Sequence, residues 1–107
     1  MTKKVTVLAP AKLGKDFTEA DMLAASKKFQ DEFVSKEPGI LRRELVKAAD
    51  GSYIDIVQFR SQEDLEDVLE KEMKSDVCKE FFGVMDLSDW DPDAPMPVYQ
   101  VLETFTR

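Results

Sequence analysis

Short apolar runs and helical stripes alternate along this chain in an order that predicts one fold. Val5-Thr6-Val7-Leu8-Ala9 is short and rich in β-branched residues, and Pro10 closes it, so it reads as a strand. A turn follows at Gly14 to Asp16. Asp16 with Glu19 three residues later reads as a capping box, with Thr18 and Asp21 as the poorer alternative. Met22, Ala25, Phe29 and Phe33 then recur at helical spacing, with Lys27, Lys28, Asp31 and Glu32 on the other side. Pro38-Gly39 is expected to end that helix.

Leu41 to Ala48 and Tyr53 to Phe59 flank Asp50-Gly51, a favoured two-residue hairpin turn. Ser61 with Asp64 marks the next N-cap, and Leu65, Val68, Leu69 and Met73 form an apolar stripe behind it. Ser75 caps a further helical segment carrying Val77, Phe81, Val84 and Met85. An acidic, proline-bearing loop from Asp86 to Pro97 leads to a last strand, Val98 to Phe105. The order strand, helix, strand, strand, helix, strand is that of an α+β, ferredoxin-like (βαββαβ) domain with a four-stranded antiparallel sheet. No linker, repeat or low-complexity tract interrupts it, so residues 1–107 are expected to form one domain.

With Asp50-Gly51 as the turn, Tyr53 pairs with Ala48, Asp55 with Val46, Val57 with Glu44 and Phe59 with Arg42. These residues then share one face of the sheet. Arg43, Leu45, Lys47, Ile54, Ile56 and Gln58 take the other. Both faces of the Tyr53–Phe59 strand carry large apolar groups. Helices cover only one face, so a second copy packed sheet to sheet is expected on the other. The alternative is a monomer that tolerates the apolar face.

Composition narrows the function classes. The chain has 15 Lys and Arg against 22 Asp and Glu, no histidine, and a net charge of -7. Nucleic acid and anionic membranes are therefore poor partners, since both require a basic footprint. Hydrophobic residues make up 43%, yet no run reaches membrane-spanning length. The positive start followed by Val5 to Ala9 is too short for an export core. Cys78 is the only cysteine, so no disulfide can close within the chain; a cytoplasmic location is expected.

The motifs Glu37-Pro38-Gly39-Ile40, Phe59-Arg60-Ser61 and Lys74-Ser75-Asp76-Val77-Cys78-Lys79-Glu80-Phe81 resemble those of the antibiotic biosynthesis monooxygenase family of dimeric α+β barrel proteins. That resemblance spans nearly the whole chain. It implies a homodimer with a pocket in each subunit between sheet and helices. It also implies cofactor-independent oxygenation of polyketide- or quinol-like molecules, haem degradation, or no activity. The haem-degrading branch has a tryptophan at Phe59, a ligating histidine at Phe82 and an asparagine near Ala11. None of the three is present, and a chain without histidine lacks the usual axial ligand. No cofactor is expected.

Candidate chemistry centres on Arg42, Glu44, Tyr53 and Asp55, placed on the face with Phe59. Asp55 or Glu44 would act as a base and Tyr53 would offer a hydroxyl. The alternative is a cross-strand ion pair near a sheet edge. A register slip of one residue would move the cluster to the other face. Met73, Phe81, Phe82 and Met85 would line an apolar pocket or serve as plain core. Cys78 has Lys74 and Lys79 nearby but no histidine to activate it. Asp89-Trp90-Asp91-Pro92-Asp93 starts like a calcium loop. Ala94 stands where glycine is needed and Gln100 where glutamate is expected, so no metal site is expected. A solvated loop with Trp90 folded over the subunit or its mate fits better. The reading is a homodimer that binds a largely apolar organic molecule and oxygenates it without metal or flavin. The alternative is a non-catalytic interaction module of the same fold.

Overall fold

A computed structural model describes residues 3–88 and 97–107. Its strands are β1 (Val5–Pro10), β2 (Ile40–Lys47), β3 (Tyr53–Phe59) and β4 (Val98–Gln100). Its α-helices are α1 (Glu19–Glu32), α2 (Gln62–Glu72) and α3 (Asp76–Gly83). The strands form one antiparallel sheet in the order β2-β3-β1-β4, as expected of a ferredoxin-like α+β fold. The helices lie on one face. Val5, Val7 and Phe59 from the sheet meet Met22 and Phe29 of α1, Leu65 and Val68 of α2, and Cys78 and Phe81 of α3 in a single apolar core.

Local chemistry explains where the helices begin. Ser61 accepts from the Asp64 N–H and Ser75 from the Cys78 N–H, both as expected. α1 differs. Its cap is Thr18, which exchanges reciprocal hydrogen bonds with Asp21, and not Asp16 with Glu19. The helix also stops before Pro38-Gly39. It ends at Glu32 and tightens into a 3₁₀ turn, Val34–Lys36, which buries Val34 beside Phe33.

Gly39 serves a different purpose. A Cβ there would stand 2.7 Å from Cβ of Asp64, so its lack of a side chain lets the start of β2 lie against the first turn of α2. Arg60 donates its backbone N–H to the Gly39 carbonyl at 2.8 Å, and Lys71 bonds Glu37 at 3.0 Å. The Glu37-Pro38-Gly39 motif thus fastens β2 to α2.

The hairpin carries the correction with the largest consequence. Its loop holds three residues, Ala49 to Gly51, closed by Gly51 N–H to Ala48 O and by Ala48 N–H to Ser52 O. Gly51 takes φ +90°, so this is a tight turn followed by a left-handed glycine, the usual three-residue hairpin loop. Asp50 accepts from both the N–H and the hydroxyl of Ser52. The extra residue shifts β2 by one relative to the two-residue expectation. Lys47 pairs with Tyr53, Leu45 with Asp55, and Arg43 with Val57. An irregularity between Ile40 and Arg42 then brings Ile40 opposite Phe59.

The face toward the helices therefore carries Arg43, Leu45, Lys47, Tyr53, Asp55, Val57 and Phe59. Arg42, Glu44 and Val46 move to the outer face with Ile54, Ile56 and Gln58. β4 is also shorter than the expected Val98–Phe105, although the Val101 N–H still donates to the Lys4 carbonyl. Among the described residues no helix is long and apolar enough to cross a membrane.

Candidate functional site

Charge is concentrated between the sheet and the helices. Arg43 of β2 and Asp55 of β3 are diagonal neighbours on the helix-facing side, with side chains only 6% and 10% exposed. Arg43 Nε stands 3.1 Å from each Asp55 oxygen. The N–H points along Oδ2 alone, so buried Oδ1 has no hydrogen bond.

The guanidinium bonds onward to α1, with Nη2 donating to Ser26 Oγ at 2.7 Å and Nη1 to the Ser26 carbonyl at 3.3 Å. It lies 4.9 Å from the ring centre of Phe29 and 5.1 Å from that of Phe81, and the two rings stack on each other. Such cation–π contacts stabilise a desolvated arginine that water no longer reaches.

A third charge, Glu72 at the end of α2, interacts with this pair electrostatically. It is half-buried, and no hydrogen bond or ion pair joins its carboxylate to a described residue. Burial, with the Asp55 charge adding, pushes its carboxyl up to about 7, against the pull of Arg43. Burial likewise raises Asp55 above the ordinary carboxylate range, opposed by Arg43. Arg43 thus opposes the burial of two carboxylates, its partner Asp55 and the half-buried Glu72.

The expected cluster is only partly assembled. Asp55 sits in the buried layer. Arg42 and Glu44 pair with each other on the outer face, with side chains 70% and 43% exposed, and Arg43 takes the place foreseen for Arg42. Tyr53 faces the helices, but its hydroxyl donates to Glu19 at the start of α1, at 2.8 Å. Lys47 joins the same glutamate at 3.0 Å, and these partners hold the Glu19 carboxyl below its usual range, Lys47 most strongly.

Phe59 and Phe81 are buried at 4% and 1%, while Phe82 stands half open beside Phe81. Met73 is 78% exposed and lines nothing. Cys78 is fully buried, and burial pushes its thiol up to about 11, which removes thiolate chemistry at neutral pH. The Asp89–Asp93 segment and Trp90 lie outside the described residues. Among the described residues no His, Cys, Asp and Glu group has the arrangement to hold a metal.

Two residues that sequence reasoning passed over had a visible signal. Ser26 interrupts the α1 stripe between Met22 and Phe29. Glu72 stands seven residues after Leu65 and four after Val68, so it continues the α2 stripe that Met73 leaves.

Two shallow depressions of about 240 and 340 Å³ open on the surface, the first of them bordered in part by Arg42 and Arg43. The first lies along Gln30, Pro38 and Leu41, the second along Lys3, Gln62 and Gln100. Neither is lined by Phe59, Tyr53 or Asp55. The layer around the Arg43–Asp55 pair is filled by the protein's own rings.

No family model matches the sequence, and no curated protein does. Solved structures do match. SnoaB, a cofactor-independent oxygenase from Streptomyces nogalater, superposes with a TM-score of 0.72 at 13% identity, covering 97% of this chain and 98% of that one. A protein ascribed to the antibiotic biosynthesis monooxygenases, from Nitrosomonas europaea, gives 0.62 at 19% identity, covering 94% and 90%. The chain has the antibiotic biosynthesis monooxygenase fold. A hydroxynitrile lyase from Passiflora edulis shares that fold as well, with a TM-score of 0.68 at 14% identity over 99% of this chain and 100% of that one. One architecture therefore carries an oxygenase and a lyase.

Proposed function

We propose that this chain binds a small, largely apolar organic molecule in the layer between sheet and helices, and acts on it without metal or flavin. The observation that carries the reading is Asp55 Oδ1, a buried acceptor with no donor, set beside a desolvated arginine and the stacked rings of Phe29 and Phe81. A molecule with an O–H or N–H group would supply the missing hydrogen bond, and its hydrocarbon body would lie against the rings. The fold shared with SnoaB and with the hydroxynitrile lyase supports small-molecule chemistry.

Oxygenation is the activity we assign. A substrate that has lost a proton becomes electron-rich enough to reduce dioxygen directly. One oxygen atom then replaces the two hydrogens of a methylene as a carbonyl, and the other leaves as water with those hydrogens. Admission of the molecule requires the helices to part, because the layer is closed.

The protein is further proposed to work as a homodimer. The outer sheet face presents Leu8, Val46, Ile54 and Ile56, none of which packs on the core, beside exposed Tyr99. A second copy of that face is the economical cover.

Native mass spectrometry of freshly purified protein tests both parts. The expected spectrum shows twice the 12.2 kDa chain mass with an added organic species of a few hundred daltons. The closed interior favours a second reading, a module without a ligand. It predicts no added mass, no binding across a panel of quinols and enolisable bicyclic ketones, and an Asp55→Asn variant altered in stability alone.

A further inference from the structure

Residues 102–107 run on past β4 and are exposed throughout, with Leu102 at 83% and Phe105 at 86%. Their composition suits a strand, since Thr104 and Thr106 are β-branched and Phe105 is aromatic. The ladder with β1 nevertheless stops at the bond from the Val101 N–H to the Lys4 carbonyl. Among the described residues none bonds the backbone beyond it. The opposite edge of the sheet has the complementary property. β2 is an outermost strand, and the Ala48 N–H bonds the Ser52 carbonyl. Antiparallel alternation therefore turns the backbone N–H and C=O of Lys47, Leu45 and Arg43 away from β3. An open row of that kind accepts another strand. Leu41 stands at its start, 45% exposed and opposite no residue of β3, because the register steps from Ile40–Phe59 to Arg42–Gln58. With Val34 and Pro38 it borders the depression of about 240 Å³.

The two features cannot meet within one chain. β3 and β1 separate β2 from β4, which puts the two edges about 14 Å apart at the usual strand spacing. Extended residues rise about 3.3 Å each, so the crossing would consume roughly four of residues 102–107 and leave about two to pair. A second copy removes that limit.

We propose that residues 102–106 of one copy lie along β2 of a second copy as an added strand, with Phe105 seated against Leu41 at the depression. This rests on the homodimer reading above and assigns a contact beyond the opposed sheet faces. The backbone groups of Arg43, Leu45 and Lys47 gain partners, and Leu102 and Phe105 leave water. β2 is a better receiver than the outer edge of β4, which is only three residues long. Charge agrees with the placement: β2 carries Arg42, Arg43 and Lys47 against the single acid Glu44, and the arriving strand brings Glu103. A twofold axis makes the exchange reciprocal, so each copy gives one segment and receives one.

The test co-expresses two chains, one with Leu41→Cys and the other with Phe105→Cys, and treats them with a short bismaleimide. Native Cys78 is buried, and the wild-type chain controls for it. A covalent product of twice the 12.2 kDa chain mass is expected, and it should require both variants. The second arm removes residues 102–107. That chain should keep the wild-type far-ultraviolet circular dichroism, because these residues are exposed in their own subunit. Its dimer dissociation constant, read by analytical ultracentrifugation, should rise at least about 100-fold, the scale of a few hydrogen bonds lost at each of two edges. Absence of the mixed product, or a shortened dimer as tight as the full one, overturns the exchange and leaves the opposed-face dimer standing. A full-length chain that sediments as a monomer removes both.

Discussion

Arg43 Nε approaches both oxygens of Asp55 at 3.1 Å, yet only one of them receives a hydrogen bond. The pair is desolvated, so its stability depends on both partners being present. Asp55→Asn leaves a buried guanidinium without its counter-charge and is expected to cost about 3 to 5 kcal/mol. Replacing both residues with apolar ones of similar size, Arg43→Met with Asp55→Leu, should restore most of that loss. Urea denaturation of the two variants checks the contrast. A double variant as unstable as the single one would show that the apolar layer, and not the charge pair, is at fault.

The stability of the protein should depend on pH through Glu72. Its carboxyl lies near 7 in the folded chain, against an ordinary value of 4.5. Its contribution is fully present below about 4.5, where both states hold the proton, and is lost as pH rises toward 7 and the folded state must ionise a half-buried group. Glu72→Gln should therefore match wild type at low pH and exceed it by about 1 to 2 kcal/mol above 7, after allowance for the part of the group that water reaches. Parallel stability curves for the two proteins would contradict the buried placement of this carboxyl.

Cys78 is expected to be chemically silent. It is wholly buried, and its thiol is pushed up to about 11. A thiol-specific chromogenic disulfide at pH 8 should label the native protein only at the rate of global or local opening, and label it at once in concentrated guanidinium. Prompt labelling of the folded chain would place Cys78 outside the core.

Gly39→Ala should loosen the junction of β2 with α2. The added Cβ meets Asp64 Cβ at 2.7 Å and disturbs the Ser61–Asp64 cap, at an expected cost of about 1 to 3 kcal/mol. Thermal melts measure it. The same change at Gly83, where a Cβ meets nothing, is the control.

The order of elements was legible in the sequence because each strand and stripe was bounded by a turn or cap of known chemistry. Ser61 and Ser75 cap where their spacing placed them. The site was less legible, and one turn explains most of the difference. Asp50-Gly51 fits a two-residue loop, but the chain turns over Ala48 to Gly51 and uses the glycine at positive φ as a third loop residue. That single residue exchanges Arg42 for Arg43 at the buried position and sends Glu44 outward, while Asp55 and Phe59, fixed by their pairing with β1, stay on the helix side. Glu72 was hidden for another reason. At the end of a charged helix, beside Glu70 and Lys71, it reads as surface, and only its place on the Leu65–Val68 stripe marks it as inward.

The binding site between sheet and helices can be mapped directly. Titration of isotope-labelled protein with 1,4-dihydroxynaphthalene, whose hydroxyls can donate to Asp55 Oδ1, followed by amide NMR, should move the signals of Ser26, Arg43, Asp55 and Phe81, with Asp55→Asn abolishing those shifts in a variant that remains folded. Shifts confined to Leu8, Ile54, Ile56 and Tyr99 on the outer face, or none at all, would contradict a small-molecule site in the buried layer.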